Sequence, residues 1–187
     1  MIVETEKEKN PKSNKERETL FRVTYRNQTS LRQIVDNKAN MIISINTLLI
    51  SSIIAISGYG ILSNQMALYL QNLVPIAIIM VSCLTSAVFA ILAANPKIVK
   101  PNLKKLENKQ SLLFFGEIAD YSQEEYIKKM EELLASKTDI YKNMIIDLHC
   151  QGIILKYKFN YISHAYKILM LGFGLGVLFF LVFLFIQ

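Results

Sequence analysis

The chain has 187 residues, a net charge of +6 and hydrophobic side chains at 52% of its positions, enough for one domain or for a small bundle with a few membrane spans. Its charge is segregated: no Asp, Glu, Lys or Arg occurs from residue 39 to residue 96, or from residue 168 to the end. A soluble core does not sort charge in this way whereas a bilayer requires it, so the pattern excludes an ordinary water-soluble fold and points to an integral membrane protein.

Residues 1–14 (MIVETEKEKNPKSN) read as a solvated, disordered tail. They are charged from the fourth residue onward, unlike a cleavable signal peptide. Residues 15–39 lack Pro and Gly and flow directly into apolar sequence, which predicts one helix running from the cytoplasm into a first span at 40–61. A polar turn at 62–72, with Ser63, Asn64, Gln65, Gln71 and Asn72, leads to a second span at 73–94. Pro75 falls in the first turn of that span, where its missing N–H is tolerated, and Pro96 and Pro101 end it.

The segment 95–167 opens with KIVKPNLKKLENK, five Lys in 13 residues, a topology signal suited to anionic lipid headgroups. Ser122 followed by Glu125 predicts a capping box and a short helix over Gln123–Leu134. Ser136 followed by Asp139 starts another helix. From there Tyr141, Ile145, Leu148, Gly152, Leu155, Phe159, Ile162, Tyr166 and Leu169 recur at steps of four and three, the spacing of a packing seam. The seam runs into a third span at 168–187, predicting a helix of about 45 residues, part cytoplasmic and part in lipid. Nine Lys and Arg precede the first span, twelve lie between the second and third, and none lies elsewhere. This places the N-terminus and residues 95–167 on the cytoplasmic side of the membrane. The expected fold is an all-α membrane protein, three transmembrane helices continuous with a small cytoplasmic helical bundle. A shift in the bundle can pass along such helices.

Catalysis finds little support: no HExxH, nucleophile elbow, P-loop or glycine-rich dinucleotide fingerprint occurs. His149 and His164 read as surface or interface residues. Cys83 lies in the second span and Cys150 in the cytoplasmic helix, so the two stay apart and reduced. No enzyme activity, metal or cofactor is expected, and the positive-inside bias accounts for the charge without nucleic acid. In the second span Ser82, Ser86, Ala90 and Ala94 repeat every four residues, and Gly172 and Gly176 form a GxxxG pair in the third. Such strips let helices approach closely, within one subunit or between copies in a homo-oligomer. At the first span's threshold stand Asp36, Lys38 and Asn40, either an interfacial anchor or a polar joint, with Arg32 one turn before Asp36. Asn46 sits nearly two turns deeper, where its amide needs a partner on a neighbouring helix.

Three stretches carry a family likeness. LRQIVDNKANMIISINTLLI, then SLLFFGEIADYSQEEYIKKM after the second span, then DLHCQGIILKYKFNYISHAYKIL before the last, resemble the Pycsar transmembrane effectors. The matching residues are Asp36, Lys38 and Ala39; Leu113, Phe114, Phe115 and Gly116; and Leu155, Lys156 and Tyr157, with the likeness covering about residues 25–187. The resemblance implies antiphage defence. In such systems a partner cyclase makes cyclic CMP or cyclic UMP on infection, and the membrane effector, which this chain resembles, is expected to respond by impairing the inner membrane and stopping growth.

A cyclic mononucleotide carries one phosphodiester charge and a flat base. Arg26, Arg32, Lys156 and Lys158 are therefore candidates for the phosphate, and Tyr157 and Tyr161 for the base. Phe114, Phe115 and Gly116 join Asp36, Lys38, Asn40 and Asn46 as coupling positions. From the residues alone two other classes stay open. One is a small inner-membrane anchor or scaffold recruiting a cytoplasmic partner. The other is a small channel subunit, opposed by the absence of ionisable residues from the spans.

Overall fold

The computed structural model of the chain describes residues 11–62, 73–95 and 111–186. Residues 1–10 of the tail expected at 1–14, residues 63–72 of the polar turn expected at 62–72, and the Lys-rich run at 97–109 lie outside the described residues. The elements are α1 (Pro11–Leu62), α2 (Leu73–Ala94), α3 (Phe115–Ile118), α4 (Gln123–Leu134) and α5 (Lys137–Ile186), with no strand among the described residues. The protein is all-α, and α1, α2 and α5 are each long and apolar enough to cross a membrane. α1 is a single helix of 52 residues and α5 one of 50. α1 begins inside the stretch read as a tail, with Pro11 in its first turn, where the ring's fixed φ suits a helix start.

Two compact units divide the chain: one of residues 1–32 and 98–155, here the polar unit, and one of residues 33–97 and 156–187, the apolar unit. In the polar unit Phe21 stacks on Tyr141 with ring centroids 5.6 Å apart. Gln28 Nε2 donates to the Leu148 carbonyl at 3.2 Å. The turn before α3 is tied down by Asn143, whose Oδ1 accepts from Leu112 N–H at 3.1 Å, and by Tyr126, whose hydroxyl donates to the Leu112 carbonyl at 3.3 Å. Leu112, Phe114, Leu133 and Cys150 are its buried apolar residues. The capping box is formed: Ser122 Oγ accepts from Glu125 N–H, and the Glu125 carboxylate accepts from Ser122 N–H. Two orphan donors at the start of α4 are satisfied reciprocally.

In the apolar unit the buried face of α1 is Val35, Ala39, Ile42 and Asn46, that of α2 includes Ser82, Cys83, Ser86, Ala90 and Ala93, and that of α5 is Ile162, Ala165, Gly172 and Gly176. These are mostly small or branched residues. Large side chains such as Leu48, Leu84, Met170 and Phe180 point outward instead. In lipid there is no drive to bury them, so small residues take the contacts and large ones meet hydrocarbon.

The seam read from α5 needs one correction. Ile145 is 56% exposed and Tyr166 39%, while Asp147 and Cys150 are buried. Periodicity weighs apolar character alone, whereas the observed face is set partly by a carboxylate and by small residues that permit close approach.

Candidate functional site

In the polar unit the facing sides of α1 and α5 form a half-open cavity of about 240 Å³, lined by Asn14, Glu18, Lys137, Ile140, Tyr141 and Met144. Spacings of four on α1 and of three and four on α5 put each set on one helix face. The lining offers an amide, a carboxylate, an ammonium, a phenol ring and two flexible apolar chains. α5 starts beside it because Ser136 Oγ accepts from Asp139 N–H at 3.4 Å, fixing the first turn.

Further along the same two helices lies a polar cluster of Gln28, Arg32, Asp147 and Gln151. Asp147 is only 7% exposed, and Gln151 Nε2 donates to its Oδ2 at 2.7 Å. Burial pushes the Asp147 carboxyl above the ordinary carboxylate range, while the Gln151 hydrogen bond and the Arg32 charge partly oppose that rise. Gln28 Oε1 is buried without a hydrogen-bond partner among the described residues.

The apolar unit has two polar ties. Lys158 Nζ meets Asp36 Oδ1 at 2.5 Å, with the Lys158 side chain 12% exposed. Deeper in, Asn46 Nδ2 donates to Ser86 Oγ at 3.1 Å, and Ser86 Oγ donates to the Ala165 carbonyl at 2.9 Å, linking α1, α2 and α5. Phe89 stacks on His164 at 5.9 Å and lies tilted against Tyr161 at 6.4 Å. A Cβ on Gly172 would overlap the Ser82 side chain, and one on Gly176 would overlap Ile79. Both glycines thus face α2 of the same subunit.

The residues singled out for a ligand are not brought into one hollow. Arg26, Arg32 and Lys156 are exposed, Tyr157 is 50% exposed, Tyr161 is half-buried, and Lys158 is engaged with Asp36. None of them lines the cavity. Among the coupling positions Asn46, Phe114 and Gly116 are buried, Asp36 is half-buried, and Lys38, Asn40 and Phe115 are exposed. In the small-residue strip of α2, Ser82, Ser86 and Ala90 are buried and Ala94 is half-buried. The cavity residues Asn14, Glu18, Lys137 and Tyr141 escaped sequence reasoning as a group. Asn14 fell in the assumed tail, and Tyr141 was visible only as part of the seam.

Fold and charge together define the class, a membrane protein in which a polar helical unit shares its two long helices with an apolar one. A family model described as "Pycsar effector protein domain" matches residues 19–186, and the chain belongs to that family. Membership makes it an effector of antiphage defence that works with a cyclase system. Of the residues described above, Pro11, Asn14 and Glu18 lie ahead of the matched range. Neither a curated protein nor a solved structure matches the chain.

Proposed function

We propose that the chain resides in the bacterial inner membrane with its N-terminus and polar unit in the cytoplasm. There it responds to a cyclic pyrimidine nucleotide, cyclic CMP or cyclic UMP, made by a partner cyclase. It then impairs the membrane as a homo-oligomer and halts growth, catalysing no reaction itself. The family match across residues 19–186 carries this reading.

Three features support it. All Lys and Arg lie in residues 1–38 and 97–167, as cytoplasmic residues do under the positive-inside rule. α1 and α5 each pass from polar to apolar sequence as one helix, and α1 has no Pro or Gly between Lys12 and Ser57 at which a displacement would be absorbed. The outward apolar side chains of the spans offer surface to lipid and to further copies. Co-expression with a pyrimidine nucleotide cyclase, following membrane potential and growth, tests the reading. Depolarisation and arrest on nucleotide production are expected. Unchanged potential and growth with both cyclic CMP and cyclic UMP would refute it.

A further inference from the structure

Resting on the reading above, we infer that the cavity between the starts of α1 and α5 is the nucleotide site, with Lys137 holding the phosphodiester and Tyr141 backing the base. A ligand of this class needs a cation, a flat apolar surface and hydrogen-bonding groups for its edges within one small hollow. The cavity has all three: the Lys137 ammonium, the Tyr141 ring with Ile140 and Met144 around it, and the Asn14 amide with the Glu18 carboxylate. The Tyr141 ring is held in place by its stack on Phe21, so little side-chain freedom is lost when a base settles on it. The hollow is half open and its volume of about 240 Å³ lies below the roughly 300–1,000 Å³ usual for organic ligands, so its walls cover a one-ring base more fully than a two-ring purine.

Charge narrows the ligand further. Among the described residues the lining holds one cation, Lys137, and one anion, Glu18. A singly charged cyclic phosphodiester pairs with Lys137 and leaves the site one charge negative, whereas a linear monophosphate brings a second negative charge toward Glu18 and raises that surplus. Glu18 only accepts hydrogen bonds, so it suits a donor on the ligand: the cytosine amino group, the uracil ring N–H or the ribose hydroxyl. Asn14 both donates and accepts and can meet either base.

The test uses the full chain in lipid nanodiscs, measuring binding of cyclic CMP, cyclic UMP, cyclic AMP and linear CMP by calorimetry. Lys137 and Glu18 are exposed, so Lys137→Gln and Glu18→Gln leave the fold intact, and equal thermal midpoints check this. Tyr141→Leu adds a third variant, and Lys128→Gln on the exposed face of α4 is the control. Expected are binding of a cyclic pyrimidine nucleotide, weaker binding of cyclic AMP and linear CMP, and a loss of about tenfold or more in Lys137→Gln, the effect of one charge-assisted hydrogen bond. Glu18→Gln should narrow the gap between linear and cyclic CMP. If the wild type binds a cyclic pyrimidine nucleotide and Lys137→Gln binds it equally well, the site is wrong while the functional reading stands. If the wild type binds linear CMP as tightly as the cyclic form, the charge argument is wrong. If the wild type binds none of the nucleotides, both the site and the functional reading fall.

Discussion

Gly172, Gly174 and Gly176 sit within one turn of α5 and meet different surroundings. A methyl group on Gly172 would run into the Ser82 side chain, and one on Gly176 into Ile79, but around Gly174 there is open space. Gly172→Ala must therefore push α2 and α5 apart, an overpacking cost of about 1–3 kcal/mol. Gly174→Ala should be neutral or slightly stabilising, since Ala is the better helix former. Unfolding midpoints in detergent should fall for the first variant and not for the second. Asp147 supports a prediction in pH. Burial raises its folded pKa above the unfolded value, so its stabilising contribution is complete below the unfolded pKa of about 3.9 and is lost as pH rises through the folded pKa. Asp147→Asn should consequently be more stable than the wild type at neutral pH, and the two should converge in acid. Equal stability at every pH would mean that the buried carboxylate carries no penalty. Asn46 and Asp147 also differ in how far they could be read in advance. A lone amide deep in uncharged sequence announces its need for a partner, whereas a carboxylate in a charged helix looks solvated until the facing helix is known.

The elements were legible where their cause is local. α4 lies at Gln123–Leu134 because Ser122 and Glu125 cap it, and a capping box needs only residues three apart. Ser122→Ala removes one arm of that box and should cost about 1 kcal/mol. Faster hydrogen exchange of the first-turn amides of α4 would register it, with Ser122→Asp restoring protection. The apolar helices were equally plain, since an uncharged run long enough for lipid needs no tertiary information. The cavity was not. Its α1 wall is built by Asn14, at the end of the stretch read as a tail, and by Glu18, in the charge-rich start of the predicted helix, where a carboxylate looks solvated. Only the apposition of the first turns of α1 to α5, with Phe21 stacked on Tyr141, turns them into lining. The α5 seam failed in part for a related reason: Asp147 and small residues occupy positions that an apolar template passes over.

For the molecule as a whole, the proposed function raises the question whether one ligand supplies enough free energy to switch it. Moving a population from 1:99 to 99:1 requires the ligand to favour the active state by about 5.5 kcal/mol. A single charge-assisted hydrogen bond such as the one proposed for Lys137 contributes about 1.5–3 kcal/mol, and base contacts add to it only where they differ between the two states. One subunit binding one nucleotide thus falls short of a full switch unless several contacts change together. Copies that change state in concert add their differential binding energies, and full switching becomes accessible with modest contacts at each site. Depolarisation of liposomes containing the full chain should accordingly rise with cyclic nucleotide concentration with a Hill coefficient above 1. Diluting wild-type subunits with Lys137→Gln subunits should shift the response to higher nucleotide concentration and lower its maximum, because each inert site removes its share of the bias. A complete response with a Hill coefficient of 1 would show that the contacts within a single subunit suffice, and would remove the need for an oligomer from the proposed mechanism.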